Sequence, residues 1–245
     1  IIFIISILYK MMKKVLAAAI VFIVLMYIAI SMFGKNNTIG KYAVATDMQE
    51  IKPVDIPEGE TGNDSKYTYS MWIYIDDWSY HFGDKKVILN RKDPISPQHY
   101  PKIYLGERNN DLTISMTCLP TDINPDYTNE ECTINNVPIQ SWVHIAISVF
   151  GRTMDTYMDG KLARTCVFDG VPVTPSTSSS ILITPGGGFS GYTAGVQYFP
   201  DAKNPYEIYN IYKKGYNGTS GMFESIFGRY TVKVKIVDKT AKQTA

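Results

Sequence analysis

The segment Asp77-Trp78-Ser79-Tyr80-His81 combines a carboxylate, an indole, a phenol and an imidazole directly after a strongly apolar stretch. Flat aromatic faces beside hydrogen-bonding groups suit a sugar ring, which offers C–H bonds to the ring face and hydroxyls to the polar neighbours. Asp77, Trp78, Tyr80 and His81 are therefore the candidate glycan or partner surface, with Tyr100 and Tyr198 as weaker members. The competing account buries Trp78 and Tyr80 in the core of a chain with 18 tyrosines. Metal chemistry has less to work with. Asp76, Asp77, Asp93, Asp122, Asp126 and Asp201 fall in expected loops and offer oxygen ligands of the kind calcium takes, but no ordered spacing joins them. No cofactor is expected, with calcium left open. His144 lies between Trp142 and Ala146 on one strand face and reads as a structural hydrogen-bonding residue. His81 and His99 give it no visible partners for a metal site or a triad. Gly186-Gly187-Gly188 lacks the Lys-Ser/Thr of a phosphate loop.

The cysteines, Cys118, Cys132 and Cys166, are odd in number and contain no C-x-x-C pair, which argues against a disulfide scaffold, a zinc site or a redox motif. In an oxidising compartment a Cys118–Cys132 bridge would close a short loop and leave Cys166 free. Lys plus Arg is 24 against 23 for Asp plus Glu, a net charge of +1. With no basic excess to displace counterions, nucleic-acid binding is not expected.

These side chains need a scaffold, and the chain supplies β-strands. Tyr67 to Ile75 is dense in aromatic and β-branched residues. Further strands are expected at Lys86–Asn90, Lys102–Leu105, Leu112–Cys118, Cys132–Ile134, Trp142–Phe150, Met154–Met158, Lys161–Phe168, Ser180–Thr184 and Thr193–Tyr198. Short strands punctuated by Gly, Pro, Asn and Asp imply a sandwich. Trp142 to Val149 alternates Trp, His, Ala and Ser on one face with Val, Ile, Ile and Val on the other. Asp159-Gly160 supplies the two positive-φ residues of a tight type I′ hairpin. Asn204 to Gly215 is the helical segment of this body, with Pro near its start and Gly at its end.

Upstream, Val15 to Phe33 contains no charge, Pro or Gly and would span roughly 28 Å as a helix, close to a bilayer's hydrocarbon thickness. It is expected to be a retained signal anchor in contact with membrane lipid. Lys10, Lys13 and Lys14 before it and Lys35 and Lys41 after it favour a cytosolic N-terminus. Met11-Met12-Lys13-Lys14 looks like a start, and one reading makes residues 1–10 translated upstream sequence. The expected organisation is an N-terminal flank at 1–14, the anchor at 15–33, a stalk at 34–66 with a first short strand near Tyr42–Thr46, a sandwich at 67–216, and a C-terminal strand (Arg229 to Val237) with a polar tail at 217–245. Sequons stand at Asn36, Asn63 and Asn217.

The run from Trp142 to Leu162, W-V-H-I-A-I-S-V-F-G-R-T-M-D-T-Y-M-D-G-K-L, resembles the core signature of laminin-G-like, concanavalin-A-like domains. Trp142, His144, Tyr157, Asp159 and Gly160 are the residues that carry it. Tyr69-Ser70-Met71-Trp72-Ile73 is similar to the family's early strand, and Gly191 to Gly215 to its closing strand and short helix. The resemblance, over about residues 65 to 216, implies an all-β, two-sheet antiparallel jelly roll that binds glycans, binds proteins or acts as a spacer.

Glucanases share this fold, and retaining glycosidases need two carboxylates about 5 Å apart, typically placed in the family as Glu-x-Asp-x-x-Glu on one strand. That spacing is absent here, and Glu130-Glu131 would point to opposite faces of a strand. Enzymatic activity is therefore not expected. Membrane-anchored domains of this kind occur among large DNA viruses. The expected function is thus a single-pass membrane protein of structural or interaction type, a minor capsid or virion-membrane component linking a membrane to capsid proteins. The alternative is a surface lectin.

Overall fold

A computed structural model of the chain describes residues 2–33, 37–57, 65–92, 98–176 and 178–216. The chain divides into two units, Ile1–Asn36 and Asn37–Ala245.

The first unit is helix α1 (Ile2–Phe33), whose side chains are described over residues 11–27. Among the described residues no helix is long and apolar enough to cross a membrane. This overturns the expected single-pass localisation, and the lipid contact expected through 15–33 gains no support from it.

The second unit is a two-sheet antiparallel sandwich, as the strand pattern implies. Its strands are β1 (Thr38–Gly40), β2 (Ala43–Val44), β3 (Gln49–Ile51), β4 (Lys66–Asp77), β5 (Lys86–Lys92), β6 (His99–Leu105), β7 (Leu112–Cys118), β8 (Thr128–Ile134), β9 (Trp142–Phe150), β10 (Thr153–Met158), β11 (Lys161–Val167), β12 (Ser180–Ile183) and β13 (Ser190–Phe199), followed by helix α2 (Pro205–Lys213). Sheet A runs β1-β13-β4-β9-β10-β11, with β2 also on β13, and sheet B runs β3-β12-β5-β6-β7-β8. Residues 38–51, within the segment expected as a stalk, thus contribute two strands to sheet A and one to sheet B. Too short to show periodicity, they are held by backbone pairing to β13 and β12. Arg229–Val237 and the three sequon asparagines lie outside the described residues.

Alternation along the central strands builds the core. On β4, Tyr67, Tyr69, Met71, Ile73 and Ile75 point inward and are all buried, as are Val143, Ile145, Ile147 and Val149 on β9. They meet Ile88, Ile103, Ile114, Met116 and Ile181 of sheet B in one cluster. Each such side chain contributes about 1.5–3 kcal/mol of apolar burial. Two cationic side chains, Lys86 and Arg91, are also buried. Arg91 on β5 is 5% exposed, donates from Nε to Ser179 Oγ (2.9 Å) and from Nη1 to Tyr69 Oη (3.1 Å), and lies over the Tyr198 ring.

The edge strands β8 and β11 close one side of the sandwich. Cys132 on β8 is bonded to Cys166 on β11, with Cα atoms 6.1 Å apart. Beside it Arg164 Nη1 donates to the Thr133 carbonyl at 2.7 Å, and the Glu130 carboxylate accepts from the Asp169 and Gly170 amides. The expected Cys118–Cys132 pairing is therefore corrected. In the β7–β8 register Cys132 faces Ile114 and Cys118 faces Thr128, four residues apart along the ladder. Cys118 is a free, buried thiol whose pKa burial pushes up to about 12, with the Glu130 carboxylate adding to the shift. The Cys132–Cys166 bridge closes a loop of 34 residues, worth about 4 kcal/mol in the chain-entropy account. Urea unfolding of the Cys132→Ser/Cys166→Ser variant should show a loss of about that size, while the parent yields a disulfide-linked peptide pair containing these two cysteines. A linkage through Cys118 would refute the assignment.

Candidate functional site

The outer face of sheet A is organised in rungs. Across β13, β4 and β9, Phe199, Thr68 and Ser148 align, then Gln197, Ser70 and Ala146, then Ala194, Trp72 and His144, and finally Tyr192, Tyr74 and Trp142. The chain after β13 covers the first three. Thr68 Oγ1 donates to the Asp201 carbonyl and accepts from the Lys203 amide, and Ser148 Oγ donates to the Lys203 carbonyl, each at 2.9 Å. Helix α2 then begins with a capping box in which Asn204 and Glu207 satisfy each other's backbone amides. Its Ile208 is buried against Ala146 and Tyr157, and Tyr212 stacks on Trp72 with centroids 5.6 Å apart.

The residues of the sequence signature hold this arrangement. Asp159 and Gly160 have φ values of 50° and 72°, as a type I′ turn requires. Asp159 Oδ1 accepts from the His144 amide at 3.0 Å, and the Asp159 amide donates to the His144 carbonyl at 2.9 Å. A Cβ at Gly160 would stand 2.9 Å from the Tyr212 ring, so this glycine also lets α2 settle. His144 is fully buried beneath Trp72 and Tyr212, with Nε2 2.9 Å from Ser70 Oγ. Burial lowers its pKa to about 4. Tyr157 places its hydroxyl 3.4 Å from Asp155.

The fourth rung is not covered by α2. Tyr192, Tyr74 and Trp142 lie ring against ring at 6.2 and 5.6 Å between centroids. Tyr42 stacks on Tyr192 at 5.4 Å, and Tyr216 stacks on Trp142 at 4.6 Å with an interplanar angle of 7°. Tyr42 and Tyr216 remain 56% and 37% exposed. A groove of about 410 Å³ is lined by both of them together with Lys41, Trp72, Gln197 and Lys214. A bulge in β13 between Ala194 and Gln197 shapes it. There Gly195 has φ 54°, and a Cβ would come within 3.1 Å of the Tyr216 carbonyl. Its lining mixes aromatic rings with hydrogen-bonding and cationic groups, and its volume falls in the range of small-ligand sites.

The segment singled out from sequence behaves differently. Trp78 is half-buried against the core, its Nε1 donates to the Arg108 carbonyl (3.3 Å), and the buried Lys86 amine lies 4.7 Å from its ring centroid. Asp77 accepts from the amide and hydroxyl of Ser79, hydrogen bonds that hold its carboxyl below the usual range. Tyr80 and His81 stack on each other at 4.2 Å beside Gly187. This turn thus uses much of its chemistry internally. Tyr100 and Tyr198 are buried. Asp93 lies outside the described residues, and among the described residues no group of three or more His, Cys, Asp or Glu side chains comes together to hold a metal. The half-buried rung residues Tyr74 and Tyr192, and the exposed Tyr42 stacked beside them, were not singled out from sequence. The available signal was Trp142, a large aromatic on the face that also carries Ala146 and Ser148.

A laminin G family model, described as the concanavalin A-like lectin/glucanases superfamily, matches residues 51–209. The chain belongs to this superfamily. No curated protein matches the sequence. Among solved structures, this superfamily member is similar to the botulinum neurotoxin serotype D ligand binding domain in complex with N-acetylneuraminic acid (TM-score 0.52, 12% identity, 74% of this chain and 43% of that chain). It is also similar to the botulinum neurotoxin serotype D binding domain (TM-score 0.51, 14% identity, 69% of this chain and 41% of that chain). At these identities the likeness is one of fold, and the superfamily member spans less than half the length of either neurotoxin domain.

The burial of His144 has a measurable consequence. Its folded value near 4 lies below an unfolded value of about 6.5, so the unfolded chain takes up the proton first. This group leaves stability unchanged above about pH 6.5, lowers it as the pH falls from there toward 4, and adds no further loss below, about 3 kcal/mol in all. Urea unfolding of the parent and His144→Gln between pH 7.5 and 4 should show a shallower decline for the variant. Parallel curves would mean that the imidazole is hydrated in the folded state.

Proposed function

We propose that this chain is a non-enzymatic carbohydrate-binding protein whose glycan lies in the groove between Tyr42 and Tyr216. One observation carries the reading. On a sheet face otherwise occupied by α2, the two rings stacked on the fourth rung, Tyr42 and Tyr216, remain exposed and line a groove with hydrogen-bonding groups. Aromatic clusters of this kind on a protein surface usually mark an interaction site. Sugar C–H faces stack on the rings, and Gln197, whose amide contact to Thr38 is long at 3.5 Å, is placed to bind hydroxyls.

Two further points support the reading. The superfamily's description names lectins and glucanases, and the serotype D ligand binding domain is a fold relative in complex with a sugar. A binding rather than a hydrolytic role is favoured because the described residues lining the groove include no Asp or Glu, whereas glycoside hydrolysis needs a carboxylate pair. The shell-linking role expected from sequence draws no support from the family or from these neighbours.

The test is binding of the full chain to immobilised neutral and acidic oligosaccharides, followed by calorimetry on the best ligand. Tyr42→Ala and Tyr216→Ala should each weaken binding about tenfold or more, the loss of ~1.4 kcal/mol of stacking, with unchanged unfolding midpoints. Tyr206→Ala, a 74% exposed position on α2, should leave affinity unchanged. Undiminished binding by both groove variants would overturn the site.

A further inference from the structure

We infer that the groove selects glycans carrying an anionic group, a carboxylate or a sulfate; this rests on the groove being the glycan site. The argument is charge complementarity. Lys41 and Lys214 both line the groove and are exposed. Lys41 adjoins Tyr42 in the chain, and Lys214 is two residues before Tyr216, so each ammonium is tied by sequence to one of the two stacking rings. The described lining residues include no carboxylate to neutralise them.

Several lysines of the body outside the groove are engaged. Lys203 pairs with Glu207 at 3.0 Å, Lys85 donates to Tyr104, which in turn donates to Glu131, and Lys213 lies over the Tyr209 ring. By contrast, no hydrogen bond or ion pair to the ammonium of Lys41 or Lys214 is formed among the described residues. A lysine at a helix C-terminus ordinarily complements the helix dipole, and that accounts for one of Lys213 and Lys214. It does not account for Lys41, which follows β1. Two like charges brought to one aromatic groove repel each other in the empty site, and an anion bound there would relieve that repulsion.

The experiment compares matched oligosaccharides, one sialylated, one sulfated and the neutral parent, by calorimetry on the full chain at low and high salt. The expected result is a preference of about fivefold for at least one charged form over the parent at low salt, reduced at high salt. The Lys41→Gln/Lys214→Gln variant should lose that preference, the charged and neutral forms then binding alike. Which charged form is preferred identifies the anionic group. Equal binding of charged and neutral forms, lost in Tyr42→Ala, would overturn the charge selection and leave the groove a glycan site. A preference that persists in the double lysine variant would also overturn it. Absence of binding to all three would overturn both the selection and the glycan reading beneath it.

Discussion

The register of β4 between β13 and β9 is the constraint on which the rest of the structure depends. Because side chains alternate strictly along a strand, one slip would exchange the two faces of sheet A. Tyr67, Tyr69, Met71, Ile73 and Ile75 would then leave the core, and Thr68, Ser70, Trp72 and Tyr74 would enter it. The same pairing aligns Tyr192, Tyr74 and Trp142 across three strands and puts His144 opposite Trp72. Core packing and the outer aromatic rung are thus two consequences of one alignment. Burial of the inner face specifies it far more strongly than the outer face could.

Polar groups refine what alternation begins. Arg91 would be prohibitively costly inside the sandwich as an unpaired charge, yet Ser179, Tyr69 and the Tyr198 ring surround it. Tyr69 thereby links β4 in sheet A to β5 in sheet B by a directional contact rather than by area alone. At the far edge Cys132–Cys166, Arg164 and Glu130 perform a similar cross-sheet function. Directional ties at two places restrain the sheets against sliding, which an apolar interface by itself resists weakly.

Much of the sandwich was legible because its signals are local. β7 and β9 coincide with the strands expected at Leu112–Cys118 and Trp142–Phe150, and the hairpin at Asp159-Gly160 follows from φ requirements that only a few residue types meet. What was not legible is pairing between distant segments. β1 to β3 carry too few residues to show a period and exist because β13 and β12 offer backbone partners. Cys132 finds Cys166 because β8 and β11 are both edge strands on the same side, a fact of topology rather than of spacing. The aromatic segment at Trp78 attracted attention as an isolated cluster, whereas Tyr42, Tyr74, Tyr192 and Tyr216 are dispersed over 175 residues of chain (42 to 216) and converge only once the strands are in register.

The boundary between scaffold and site on sheet A is set by the end of a helix. α2 advances over successive rungs, Ile208 on Ala146 and Tyr212 on Trp72, and one further turn would bring it onto Tyr74 and Trp142. It stops because Gly215 adopts φ 71°, with its amide bonded to the Tyr212 carbonyl, the usual way in which a glycine closes a helix. Tyr216 is thereby turned onto the Trp142 ring as a single residue rather than as part of a helix. The Tyr216 residue remains 37% exposed there, where a continuing helix would have laid a further turn over the rung. The glycine at 215 and the bulge glycine at 195 act on the same place from two elements, one halting the cover and the other admitting the Tyr216 backbone. Sheet A therefore separates into a part packed under α2 and a last rung covered only by the single rings of Tyr42 and Tyr216.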